Sequence, residues 1–293
     1  MKRLVAFALS IALLTTSACA PPRSSHIVIG AKNFTEQVIL GELLAQEIEA
    51  TGSGPVERRF WLAGSYLCQQ ALISNRIDAY VEYTGTALTA ILKQPVLRDP
   101  TLVNASITAL YDNLYQIRVF PSLGFENTFA MVIRGSDARA HHLRTISDIA
   151  PLAPKWRLGV GYEFAERPDG LRGLSAAYHL QFPSNPRTME LGLLYRSLSA
   201  NQVDIVAGNS TDGAIQAFDF TALEDNHHYF PPYEAVPLVR EDSLRRWPEI
   251  AIALNRLAGK ITADDMRAMN FAVDSHHQDP AEVVRKFRAS KSL

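Results

Sequence analysis

An α/β chain of two lobes facing each other across a cleft is what the sequence predicts, and three observations predict it. Strand-like apolar runs alternate with helix-patterned runs, beginning with Ile27–Ile29 and then Leu40, Leu43, Leu44 and Ile48. Leu72-Ile-Ser-Asn75-Arg-Ile77-Asp78-Ala-Tyr-Val81 aligns without a gap on Leu198-Ser-Ala-Asn201-Gln-Val203-Asp204-Ile-Val-Ala207. Each of these runs reads as a helix end, a turn at Asn and a short strand opening with Asp. A weaker echo pairs Ile27-Val-Ile-Gly30-Ala-Lys32 with Arg157-Leu-Gly-Val160-Gly161-Tyr-Glu163. A plan stated twice suggests two α/β lobes, and ligands of such sheets bind beyond the carboxyl ends of the strands.

Taken in order, Ile27–Ile29 reads as a buried strand. A helix capped by Asn33 follows, with Glu36 at the third position completing a capping box. Val56–Trp61 is a strand, Ser65–Ser74 a helix, Asp78–Tyr83 a strand and Thr86–Leu92 a short helix. A helix near Thr101–Tyr115 precedes strands Ile117–Phe120 and Thr128–Ile133. The second half repeats the style with strand Trp156–Gly161, helices Leu171–Leu180 and Leu193–Ser199, and strand Val203–Ala207. From Ser243 onward the chain is helical, and Asp279-Pro280-Ala-Glu282 starts its last helix with Pro at the first position.

The N-terminus directs the chain out of the cytoplasm. Lys2 and Arg3 precede an apolar run of about 11 residues and then small residues ending in Ala18-Cys19. That run is shorter than the roughly 20 residues that span a bilayer. Two cleavage readings compete. Ala18-Cys19-Ala20 fits an ordinary small-x-small site, although it would leave Pro21 first. Thr16-Ser17-Ala18-Cys19 resembles a bacterial lipobox, with Thr16 where Leu is usual. The lipoprotein reading is favoured, because an acylated Cys19 would hold the protein at a membrane face. Residues 1–18 are then the signal peptide and residues 19–25 a lipid-anchored tether.

Loss of Lys2 and Arg3 leaves 27 basic against 30 acidic side chains, a net charge near −3. Without a basic surplus to release counterions, nucleic acid is excluded as a partner. Cys68 is the only cysteine besides Cys19, so no disulfide framework exists, and its apolar helical setting reads as a buried small hydrophobe.

Six motifs now fall in one order: Gly30-Ala-Lys32-Asn33-Phe34-Thr35-Glu36, Glu82-Tyr83-Thr84-Gly85-Thr86, Asn127-Thr128, Glu163-Phe164 with Arg167-Pro168-Asp169-Gly170, Ser210-Thr211-Asp212-Gly213, and Phe230-Pro231-Pro232-Tyr233. Together they resemble the substrate-binding proteins of bacterial ABC importers for glycine betaine, choline and carnitine, over essentially the whole mature chain. The resemblance implies a two-lobed periplasmic-binding-protein fold with a ligand cleft between the lobes and two interlobe crossings. Lobe 1 would comprise residues 26–127 plus 232–293 and lobe 2 residues 128–231. It further implies a small quaternary ammonium or zwitterionic ligand, a permease with its ATPase subunit as partners, no cofactor and no catalysis.

The ligand's chemistry explains the residue types. A trimethylammonium head has no N–H to donate, and its diffuse charge suits aromatic faces, at about 0.5–2 kcal/mol per contact. A betaine carboxylate needs cationic and hydroxyl donors instead. Carried over from the family, Tyr83 and Tyr233 would be cage walls, Phe129 would stand where a tyrosine is usual, and Lys32, Thr86 and Arg167 would hold the carboxylate. Plainer readings stand beside these: strand-end aromatics, a core strand at Phe129 and solvated loop charges. Asp169 and Asp212 read as turn formers, and Asp78 and Asp204 as structural.

One departure stands out. The family's Tyr-Ser-Thr-Asp-Gly loop here begins with Asn209, so a π face is replaced by an amide. The ligand then carries a polar group near its cationic head, or glycine betaine binds weakly, unless Tyr162, Tyr66 or Trp61 supplies a substitute wall. A binder of another zwitterion, an amino acid or a histidine-derived betaine, is the alternative. A secreted α/β enzyme is the rival class, but there is no Gly-x-Ser-x-Gly elbow, phosphate loop or cysteine cluster. The pairs His141-His142, His227-His228 and His276-His277 lack the i, i+4 spacing of a helical metal site.

Overall fold

A computed structural model describes residues 25–293; the expected signal peptide, Cys19 and all but the last residue of the expected tether lie outside the described residues. In the first sheet, β1 (Val28–Gly30), β2 (Glu57–Arg59), β3 (Ala79–Tyr83) and β4 (Ile117–Val119) come early in the chain. The second sheet holds β5 (Phe129–Arg134), β6 (Leu158–Val160), β7 (Arg187–Thr188), β8 (Ile205–Asn209) and β9 (Phe220–Leu223). The chain then returns to give the first sheet β10 (Ala235–Arg240). The strand orders are β2-β1-β3-β10-β4 and β7-β6-β8-β5-β9. This is the two-lobed fold with two crossings.

Each sheet is covered on both faces, so neighbouring strand residues serve different cores. Ile27 and Ile29 join one apolar cluster and Val28 the other; Met131 and Ile133 pack opposite to Ala130 and Val132. Helix α1 (Thr35–Ala50) is buried well beyond the stripe of Leu40, Leu43, Leu44 and Ile48, with Ile39 and Ala45 also at 0% exposure. The sheet lies on one side of it, and the C-terminal helices, which include residues 249–257, 263–274 and 280–291, cover the rest. Cys68 is fully buried in its helix, and burial pushes its thiol up to about 12.

The sequence echo is a hydrogen-bond echo. Asp78 accepts the N–H of Val28 at 2.8 Å, and Asp204 accepts the N–H of Arg157 at 2.8 Å, so each acid ties its strand to the preceding parallel neighbour. Asn75 and Asn201 both adopt left-handed backbone, with φ of 60° and 53°. Arg240 at the end of β10 donates to the Leu72 carbonyl at 2.8 Å, and Arg134 at the end of β5 donates to the Leu198 carbonyl at 3.0 Å. Of these two antiparallel strands β5 was expected, whereas β10, which lies between β3 and β4, was not. In register, Tyr83 lies opposite Ala235 and Asn209 lies opposite Phe129. Asn209 therefore occupies in lobe 2 the place that Tyr83 occupies in lobe 1.

The second histidine of each adjacent pair, His142, His228 and His277, has φ of 54°, 49° and 53°. These pairs shape turns. The expected helix at Thr86–Leu92 is instead one α-turn, Thr84–Thr86, running into a π-helix, Ala87–Ile91. The two crossings run side by side, with the Asn127 N–H on the Tyr233 carbonyl at 3.1 Å.

Candidate functional site

Parallel strands of both sheets end at the cleft, and β5 and β10 begin there, so the loops at those ends face one another. A cavity of about 300 Å³ lies between them. Lys32, Tyr83, Thr86, Phe129, Arg167, Asn209 and Tyr233 all line it. The fold brings together every ligand residue expected from the motifs, from six separate stretches of chain.

Their chemistry is more interleaved than a cationic clamp at one end and an aromatic cage at the other. Lys32 pairs with buried Glu82 of β3, and its ammonium lies 4.9 Å from the centre of the Tyr83 ring. Arg167 is 8% exposed, and its Nε and Nη2 bond to the Asp169 carboxylate at 2.9 and 2.5 Å. Its Nη1 donates to Thr86 Oγ1 at 2.8 Å across the lobes. The same guanidinium lies 4.9 Å from the Phe129 ring centre and 5.6 Å from that of Tyr233. The protein's own cations thus already rest against all three expected cage rings.

Asp169 is the main revision. Expected as a turn former, it is fully buried and accepts from Tyr233 Oη at 2.6 Å and Thr89 Oγ1 at 3.0 Å as well as from Arg167. Burial pushes its carboxyl up, but Arg167 and the two hydroxyls outweigh that and hold it below its ordinary value. Asp212 does serve its turn, accepting the Asn209 N–H at 2.8 Å, and also takes Tyr195 Oη at 2.6 Å. Burial drives its carboxyl up to about 7.

Glu36 likewise departs from expectation. The helix begins at Thr35 with Phe34 as its N-cap and no side-chain cap, so the capping box does not form. Instead Glu36, 2% exposed, accepts from Tyr83 Oη at 2.5 Å, Asn127 Nδ2 at 2.8 Å, Thr211 Oγ1 at 2.5 Å and Asn270 Nδ2 at 2.9 Å. Burial raises this carboxyl against the four donors.

Other lining residues were not singled out as ligand contacts. Phe34 and Glu163 lie inside quoted motifs, which was a usable signal; Glu190 and Leu191 carried none. Glu163 reaches across the cleft to accept the Ser65 N–H at 2.8 Å. Of the three candidate substitute walls, Tyr162 lines this cavity, Trp61 lines a neighbouring cleft, and Tyr66 lines neither.

Residues 25–290 match the family described as the substrate-binding domain of ABC-type glycine betaine transport systems. The chain belongs to that family. It is therefore a solute-binding component of an importer and not an enzyme. It is similar to the carnitine transport binding protein of Listeria monocytogenes, at 31% identity over 98% of this chain and 96% of that one. It also resembles the ergothioneine transport permease/ergothioneine binding protein of Helicobacter pylori, at 30% identity over 89% of this chain and 47% of that longer protein. Among solved structures, one described as a glycine betaine/carnitine/choline ABC transporter superposes with a TM-score of 0.77 at 31% identity, covering 91% of this binding protein and 98% of its own chain.

Proposed function

We propose that this protein captures a compact quaternary ammonium zwitterion, glycine betaine or a close analogue, and hands it to its permease. The convergence of Lys32, Tyr83, Thr86, Phe129, Arg167, Asn209 and Tyr233 on one interlobe cavity carries this reading. Lys32 spends one donor on Glu82 and keeps two more for a ligand carboxylate, and the Thr86 hydroxyl that accepts from Arg167 retains its own proton to give. Tyr83, Phe129 and Tyr233 supply aromatic surface for the methylated head. Their hydroxyl or cation contacts fix the rings in advance, which lowers the ordering cost of binding.

Calorimetry with glycine betaine, choline, carnitine and dimethylglycine tests the reading. A quaternary ligand should bind one to one and dimethylglycine more weakly. Binding of a simple amino acid, with none of the quaternary compounds bound at millimolar concentration, overturns the cage.

A second reading rests on Asn209. This residue, with Asn33, Phe34 and Leu191, lines both the 300 Å³ cavity and an adjoining cleft of about 630 Å³. A betaine with a larger hydrogen-bonding substituent, such as one derived from histidine, would use that space. Tighter binding of such a compound than of glycine betaine favours it. The Cys19 lipid anchor also belongs to the proposal and would make this a periplasmic or cell-surface lipoprotein held at the membrane.

A further inference from the structure

The lining of the 300 Å³ cavity does not include Glu36 or Thr211, although Glu36 borders the adjoining cleft, and both residues are buried and bonded to each other across the lobes. Glu36 sits in the first turn of α1 in lobe 1. One of its oxygens, Oε1, accepts from Tyr83 Oη and from Asn127 beside the first crossing. The other, Oε2, accepts from Thr211 of lobe 2 and from Asn270 on the 263–274 helix. Asn270 also donates to the Thr211 carbonyl at 3.0 Å, so the hydroxyl and the carbonyl of that residue are both held by lobe 1. Beside it, a Cβ on Gly213 would stand 2.6 Å from the Phe271 backbone nitrogen, so the loop docks against the helix with no room for a side chain.

We infer that Glu36 is a positioning residue that couples the ring of Tyr83 to lobe closure. Its carboxylate is shared between a cavity wall on one oxygen and the opposite lobe on the other. A carboxylate with four donors is satisfied only while both lobes contribute; on opening, Oε2 loses the Thr211 hydroxyl and gains water. The Tyr83 hydroxyl then bonds to a hydrated, competing acceptor, and the ring is less firmly held. Closure and ring order rise together, and a ligand in the 300 Å³ cavity against Tyr83 therefore favours the closed form through a bond outside that cavity's lining. The inference rests on Tyr83 acting as a ligand wall, and its test separates the two.

The probe is glycine betaine, measured by calorimetry and stopped-flow dissociation on wild type, Glu36→Gln, Thr211→Val and the double variant. Thr211→Val keeps the shape and removes the hydroxyl. It should weaken binding by roughly tenfold or more, the scale of a lost hydrogen bond to a charged group, chiefly by faster dissociation. Thr211→Ser should restore the affinity to within about threefold. Glu36→Gln places an amide donor before two of the four donors, and the double variant should be no weaker than Glu36→Gln alone. Single effects that add, or an unchanged affinity in Thr211→Val, overturn the coupling. Hydrogen exchange without ligand gives an answer that does not depend on the ligand assignment. Glu36→Gln should speed exchange both at Tyr83–Gly85 and at Ser210–Gly213 in the other lobe. A change confined to lobe 1 overturns the coupling, whereas coupled exchange without betaine binding in wild type overturns only the ligand reading.

Discussion

At the scale of single residues, Arg167 joins a proposed ligand role to an observed structural one. It forms a bidentate pair with fully buried Asp169 while reaching Thr86 in the other lobe. Arg167→Ala alone strands that carboxylate, and the expected stability loss is about 3–5 kcal/mol in urea denaturation. Adding Asp169→Asn should recover most of it. In that double variant the affinity loss should be greater for glycine betaine than for choline by about 1.5–3 kcal/mol, because choline has no carboxylate to hold. Equal losses would assign Arg167 to lobe contact alone. Asn209 poses the complementary question. It stands at the lobe 2 counterpart of Tyr83, between two cavities, with its N–H on Asp212. Asn209→Tyr should add an aromatic face and tighten glycine betaine binding by about 0.5–2 kcal/mol. Weaker binding with an intact fold would show that Tyr162 or Leu191 has already claimed the space.

At the scale of elements, the turn after β8 carries a titration. The Asp212 carboxyl stands at about 7 because burial outweighs the hydroxyl of Tyr195 and the N–H of Asn209, with the Glu36 charge acting in the same direction as burial. A carboxyl raised on folding holds its proton more tightly in the native state. Its contribution is fully present below the unfolded carboxylate range and is lost as pH rises through about 7. Thermal melts should therefore show wild type losing stability relative to Asp212→Asn as pH rises from about 4 to about 8. A difference that is flat with pH would mean that the carboxyl titrates at an ordinary value. The same turn explains why this loop alone breaks the motif quietly: Ser210, Thr211 and Gly213 still dock on lobe 1, so Asn209 changes the cavity without changing the element.

At the scale of the molecule, the two lobes meet through polar contacts ringed around the cavity. Arg167 to Thr86, Asp169 to Thr89, Glu163 to the Ser65 N–H and Thr211 to Glu36 each join residues from different lobes. Polar, separable contacts suit a protein that must open to load and unload, since water can replace each of them. Export and anchoring belong to this scale too. Among the described residues no helix is long and apolar enough to cross a membrane. Cys19→Ser in the full chain should move the protein from the membrane fraction to the soluble one; retention in the membrane fraction would remove the lipid anchor from the proposal.

Local sequence determined much of this. The paired runs that contain Asp78 and Asp204 specified two equivalent helix–turn–strand units, because each Asn turn is set by its near neighbours, while the Asp–backbone bonds, 50 and 47 residues long in sequence, recur with the repeated plan. The family resemblance that the motifs carry also pointed to seven of the side chains that line the cavity. Tertiary structure alone decided the rest. That β10 returns from beyond the second sheet to lie beside β3 depends on pairing across some 150 residues, which no local pattern encodes. Glu36 has the sequence signature of a capping box, yet its carboxylate turns to four donors from distant segments, since a buried charge gains more from four bonds than from one exposed N–H. Asp169 reads as half of a turn and becomes the partner of Arg167 for the same reason: burial leaves an acid no better solvent than a guanidinium and two hydroxyls.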